Sequence, residues 1–208
     1  ELSIDFTVLP STERIEHYCM FFRDDCIEVL ASAAEVDSID VAAWEARQAP
    51  YEHPKNYDPL TLETSWCSAA ALFVRRESFE LVDGFDPKLF LYAEDVDFSW
   101  RLRQREKKLR YIPKAVVYHN TYQFPGECKP VQFLGSTRNN LMLRSRYGSW
   151  RDILKGYLQY ISLMLPFSNK PIQGYRLHIF RGLVRSVLDF TYFRYCNHVT
   201  SKRSVADS

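Results

Sequence analysis

Between residues 18 and 44 the hydrophobic pattern changes period twice, and this stretch constrains the fold more than any other. Tyr18-Cys19-Met20-Phe21-Phe22 is an apolar run that stops abruptly at Arg23-Asp24-Asp25. Residues 26–36 follow a helical period, with Ile27, Leu30, Ala31 and Ala34 on one face. Residues 39–44 return to a strand pattern. Strand, acidic turn, helix, strand is the rhythm of an α/β sheet. In such sheets ligands sit beyond the carboxyl ends of strands, where Asp24 and Asp25 fall.

The remaining elements are read the same way. Residues 4–9 are predicted as a strand stopped by Pro10. Residues 45–65 hold Pro50, Pro54 and Pro59 without an apolar period, and predict a long ordered loop. A buried strand is expected over 67–74, a short helix over 75–81 and a turn at Asp83-Gly84-Phe85-Asp86-Pro87. Two short strands, 109–112 and 116–118, are expected on either side of Pro113, the second running into His119. With 46% hydrophobic residues the chain can bury a core of ordinary size. A net charge of +1 gives no overall field that would select nucleic acid. Five scattered cysteines without a CxxC pair point to reduced thiols in a cytoplasmic setting, not to disulfides or zinc. The first residue is Glu1, so the chain is expected to be part of something longer, or processed.

Chemistry is most concentrated in Leu89-Phe90-Leu91-Tyr92-Ala93-Glu94-Asp95-Val96-Asp97-Phe98-Ser99-Trp100-Arg101. Three carboxylates fall within four residues, boxed in by aromatic side chains. Carboxylates beside aromatics are costly unless paired, bound to metal or used as a base. From Val96 to Leu102 apolar residues alternate, as in a strand. The acids come first, however, and Arg103, Arg105, Lys107 and Lys108 come last, the order a helix dipole favours. A helix is expected, with Asp95 as a general base. A first-turn acidic cluster that only stabilises the helix is the alternative. Asp24 and Asp25 are candidates for a divalent metal bridging phosphate oxygens, or for a plain helix cap. His119 is a candidate metal ligand, or a satisfied structural histidine.

A resemblance unites these groups. Trp66-Cys67-Ser68-Ala69-Ala70-Ala71-Leu72-Phe73-Val74-Arg75-Arg76, Gly84-Phe85-Asp86, Glu94-Asp95-Val96-Asp97, Arg101-Leu102-Arg103, and Tyr111, Pro113 and Tyr118-His119 resemble the second half of a family-2 glycosyltransferase. The likeness is specific over residues 65–120, weaker over 18–47, and fades after 147. It implies a GT-A-like, Rossmann-like α/β fold, a mixed sheet flanked by helices. It also implies inverting transfer of a single sugar from a nucleotide-sugar donor to a glycan or lipid-linked acceptor. Asp95 would be the base and Glu94 would orient it. Asp25 and His119 would hold the metal, Mn or Mg, while Arg23, Asp24, Trp66, Asp97 and Arg101 would bind substrate. Arg23 stands where the family's metal motif has its first acid, so a cation of the chain itself is an alternative partner for the phosphates. The Gln-x-x-Arg-Trp motif of processive synthases does not occur; Arg138-Asn139-Asn140-Leu141 stands in the later region.

The resemblance divides the chain into a transferase domain over 1–150, without its first nucleotide-binding units, and a helical tail over 151–208. In the tail Leu177, Phe180, Val184, Val187 and Leu188 recur at helical spacing beside Arg181 and Arg185. A basic amphipathic helix suits peripheral contact with the inner face of a membrane, or packing back on the domain. The longest apolar stretch there, 156–167, is too short to span a bilayer. Two other functions fit parts of the pattern: a non-catalytic transferase-like association module, and a phosphohydrolase using Asp24, Asp25 and His119.

Overall fold

The computed structural model of the chain describes residues 20–52, 55–89, 91–119, 129–165 and 174–195. The strand expected over 4–9 lies outside them, as do Cys19, Cys128 and Cys196. Cys26 and Cys67 are buried. Two compact units form, Glu1–Val74 with Lys107–Gly126, and Arg75–Glu106 with Glu127–Ser208.

In the first unit the elements are β1 (Met20–Phe22), α1 (Cys26–Val36), β2 (Val41–Ala49), β3 (Leu72–Val74) and β4 (Lys108–His119). They make a four-stranded sheet in the order β1-β4-β2-β3. Among the described residues β2 and β4 run parallel, while β1 pairs β4 and β3 pairs β2 antiparallel. β2 is central and buried from Val41 to Ala46. Leu30 and Cys26 of α1 pack on Trp44, Ala46 and Val117. Full burial of a side chain such as Leu30 contributes roughly 1.5–3 kcal/mol. The mixed α/β sheet of GT-A, Rossmann-like character is therefore present.

The strand expected over 67–74 is confined to Leu72–Val74, after a 3₁₀ turn at Ala69–Ala71, and two longer stretches also differ from expectation. Residues 45–65 are not loop throughout, because β2 continues to Ala49. The polar residue that masked it, Glu45, is fully buried, and its carboxylate meets Lys55 Nζ at 2.7 Å with both side chains 2% exposed. Pairing is what makes a buried charge tolerable in a central strand. Likewise, 109–112 and 116–118 belong to one strand. Its register against β2 jumps from Ile112 at Ala46 to Val116 at Arg47, and the residues around Pro113 bulge out of the ladder.

The second unit is helical: α2 (Arg76–Leu81), α3 (Glu94–Gln104), α4 (Pro130–Tyr147), α5 (Trp150–Ser162) and α6 (Arg176–Tyr195). Pro130 opens α4, where its missing N–H is not needed. Ser149 and Asp152 form a reciprocal capping box that starts α5. Leu89, Leu141, Met142, Tyr160, Ile179 and Phe193 share one core. α5 and α6 bury their inner faces in the same core as α4.

Candidate active site

The acidic stretch folds as the helix α3, and not as the strand its alternation suggested. Helical geometry buries Phe98 and Leu102, four residues apart, on one face. It also puts Glu94, Asp95 and Asp97 in the first turn and Arg101 and Arg103 in the last. Entry into the helix is unusual. Leu91, Tyr92 and Ala93 all have left-handed backbones, with φ of 62°, 73° and 68°. For a residue with a Cβ that conformation costs about 1–2 kcal/mol. Strain of this kind persists only where surrounding contacts over-determine it, and it clusters at functional sites. Glu94 is the first residue to emerge from the turn.

Glu94 is partly buried, and its Oε2 is enclosed without a hydrogen-bond partner among the described residues. Burial pushes its carboxyl pKa up from the ordinary value, and the adjacent Asp95 charge adds to the shift. Asp95 is also partly buried and accepts from the Val96 backbone N–H at 2.8 Å. Two neighbouring carboxyls, one held towards its neutral form, suit proton transfer with a hydroxyl.

Asp97 and Arg101 were expected to bind substrate, and the structure gives them other work. Asp97 is fully buried. Its carboxylate accepts from Arg101 Nε at 2.8 Å, Arg146 at 2.6 Å and the Tyr147 hydroxyl at 2.8 Å. Arg101 also donates to the carbonyls of Val82 and Gly84, the latter at 2.7 Å. Arg146 reaches Asp86 at 2.6 Å. Burial alone would lower the Arg146 pKa, but Asp97 and Asp86 outweigh it and hold the guanidinium firmly charged. Burial and the Asp97 charge push the Tyr147 hydroxyl well up. The two carboxylates and two guanidiniums balance, which is what lets them sit in the interior.

This network explains the Gly84-Phe85-Asp86 motif. Gly84 takes φ +64°, and a Cβ there would lie 2.7 Å from the Phe79 ring. Phe85 packs on Phe98 with ring centroids 4.8 Å apart, and Asp86 anchors Arg146. Sequence reasoning missed Arg146 and Tyr147. Residues 130–147 mix polar and apolar side chains throughout, so the helix's own sequence did not single those two out.

The first unit holds the other candidates. Asp24 and Asp25 are exposed at the start of α1. Asp25 makes no side-chain cap; Arg23 grips both its oxygens, at 2.5 and 2.9 Å, and also donates to Lys114 O at 2.7 Å. That hydrogen-bonded pair holds the Asp25 pKa below the usual carboxylate range. His119 pairs across the sheet with Met20, and its Nδ1 lies 2.9 Å from Gln48 Oε1. Arg23 N bonds Val116 O, so β1 runs from the His119 end of the ladder towards Asp25 at the other. Asp25 and His119 are thus not brought together. Among the described residues no group of three His, Cys, Asp or Glu is placed to hold a metal ion. Trp66 lies under Lys55 Nζ, 3.5 Å from the ring centroid, and its carbonyl accepts from the same ammonium. A cavity of about 310 Å³ lined by Ser136, Thr137, Asn140, Gln159 and Tyr160 contains none of the acidic residues.

No protein-family model matches the chain. Curated relatives do. N-acetylglucosaminyl-diphospho-decaprenol L-rhamnosyltransferase of Mycobacterium tuberculosis is 29% identical over 140 residues, which is 62% of this chain and 45% of that protein. Rhamnosyltransferase WbbL of Escherichia coli K12 is 37% identical over 54 residues, 26% of this chain and 20% of its own length. Pre-mycofactocin glycosyltransferase of Mycobacterium tuberculosis is 29% identical over 123 residues, 56% and 26% of the two chains. The chain spans less than half the length of the relatives it matches. Its homologues are glycosyltransferases, in agreement with the family-2 resemblance read from residues 65–120.

Proposed function

We propose that this chain is the acceptor-activating part of an inverting glycosyltransferase. It would move one sugar from a nucleotide-diphosphate donor to a hydroxyl of a glycan or lipid-linked acceptor in polysaccharide synthesis. The observation that carries the reading is the Glu94-Asp95 pair raised on a left-handed turn at the start of α3. In the reaction the Asp95 carboxylate accepts the acceptor's hydroxyl proton as that oxygen bonds the sugar's anomeric carbon. The bond to the diphosphate breaks on the opposite face, and the electron pair leaves with phosphate. One base suffices for such a displacement, whereas retaining glycosidases need a second carboxyl as nucleophile. Burial raises the Glu94 carboxyl pKa, so it favours its neutral form more than an ordinary carboxyl beside Asp95 would.

Donor recognition is proposed for Arg23, Asp24 and Asp25. An incoming diphosphate would compete with Asp25 for the exposed Arg23 guanidinium, since phosphate oxygens accept the same forked donors. The apolar stripes Leu154, Leu158, Ile161 of α5 and Leu177, Phe180, Val184 of α6 are exposed, with Arg151, Lys155, Arg181 and Arg185 also exposed on the same helices. We assign these helices to an anionic membrane surface, where a lipid-linked acceptor would be presented. The same face supports the second reading, an association module without catalysis.

Asp95→Asn decides between them. In the native polypeptide, sugar transfer to acceptor should fall by about 10³-fold or more while circular dichroism stays unchanged, the size expected for losing a general base plus misorientation. Normal turnover by the variant would remove Asp95 from the role and leave the association reading standing.

A further inference from the structure

We infer that Asn139 is a positioning residue for the proposed reaction, its side-chain amide locking the left-handed turn that presents Glu94 and Asp95. The inference rests on the transferase reading for its kinetic consequence, and on geometry alone for the locking. Asn139 is buried in the middle of α4. Its Nδ2 donates to Tyr92 O at 2.6 Å and Leu91 O at 3.0 Å, with Leu89 O at 3.4 Å. A left-handed run turns its carbonyls away from any helix or strand partner, and a buried carbonyl without a donor is costly. One amide supplies both hydrogens to that problem. Which end of the amide faces the turn is fixed from the other side, because Arg138 donates to Asn139 Oδ1 at 2.9 Å. Arg138 is in turn paired with Asp189 of α6 at 2.9 Å.

A second feature of α4 points to the same contact. Gly135 lies one helical turn before Asn139, and a Cβ there would sit 3.0 Å from the Tyr92 ring and 3.4 Å from Leu91 O. The turn thus reaches α4 where the helix has no side chain, and is hydrogen-bonded where it has an amide. Arg146, seven residues on from Asn139, holds Asp97. One face of α4 therefore grips α3 and its entry at three levels. No part of this grip touches a substrate; it acts through Glu94 and Asp95.

Asn139→Leu keeps the volume and removes the donors. It should lower kcat about 100-fold, with KM for donor nearly unchanged, as a displacement near 1 Å does to a reacting group. Amide hydrogen exchange over residues 91–96 should speed up. The discriminating test is rescue. Ala93→Gly removes the Cβ that makes φ +68° costly, so it should restore about fivefold or more of the lost kcat in the Asn139→Leu background. A purely packing role for Asn139 would not respond to a backbone change across the contact. Unchanged exchange in Asn139→Leu, unchanged kcat, or no recovery with Ala93→Gly would each overturn the inference. If Asp95→Asn turns over normally, the transferase reading fails, and the exchange measurement still decides whether Asn139 holds the turn.

Discussion

At the scale of single residues, the decisive contrast is between carboxylates three positions apart on one helix. Glu94 is only partly buried, with an enclosed oxygen that lacks a hydrogen-bond partner among the described residues; Asp97 is fully buried and accepts from three donors. Identical chemistry in the chain thus becomes a candidate catalytic group in one case and a structural anchor in the other. The difference has a pH signature. Glu94's folded pKa lies above its unfolded value near 4.5, so the fold favours the protonated form. Its contribution to stability is complete below that unfolded value and is lost as pH rises through the folded one. Glu94→Gln should accordingly unfold at a higher temperature than the native protein at about pH 7, with the gain vanishing at about pH 4. A melting series across that range checks it; a gain that persists in acid would mean burial is not what Glu94 suffers from. The composition of this site was legible in the sequence, because three acids among aromatics are rarely idle. Which acid does what was not, since burial depends on Arg146 and Tyr147, about fifty residues away.

Among elements, α4 is the one on which the second unit is assembled. Its residues contribute Leu141 and Met142 to the core, Asn139 to the turn and Arg146 to the buried ion cluster. The cluster ties α3 to α4 and, through Asp86, to the segment before α3. Removing one partner from such a cluster leaves buried charge uncompensated, at a cost of about 3–5 kcal/mol. Arg146→Met should lower stability by that amount in urea unfolding, and Asp97→Asn added to it should give part back. Additive losses would show that the two groups are not one network. Helix α3 was readable from the order of its charges, although its apolar alternation argued for a strand. β2 was cut short for the opposite reason: Glu45 looks like the end of a strand until Lys55 is known to neutralise it. Its partner lies ten residues on, beyond the reach of periodicity.

For the whole molecule, exposure decides more than shape. No helix among the described residues is long and apolar enough to cross a membrane. The outer faces of α5 and α6 nevertheless expose large apolar side chains, with Leu188 73% and Leu154 62% accessible. Exposed basic residues lie on the same helices, and under the proposed membrane reading they would attract anionic lipid. The native polypeptide should co-sediment with vesicles containing phosphatidylglycerol and much less with phosphatidylcholine alone. Arg181→Glu with Arg185→Glu should weaken the binding, as should about 1 M salt, which shortens the screening length to about 3 Å. Equal binding to neutral vesicles would leave the charges without a part. By itself the sequence determined the α/β class, the helical C-terminal portion and the glycosyltransferase kinship, because periodicity and local motifs are written in neighbouring residues. Only the tertiary structure decided that Asp97 and Arg101 are buried supports, that Asp25 is held by Arg23 and lies apart from His119, and that α5 and α6 share the core of α4. Those outcomes depend on which distant groups meet and how much water remains between them, and burial of that kind is a property of the folded chain.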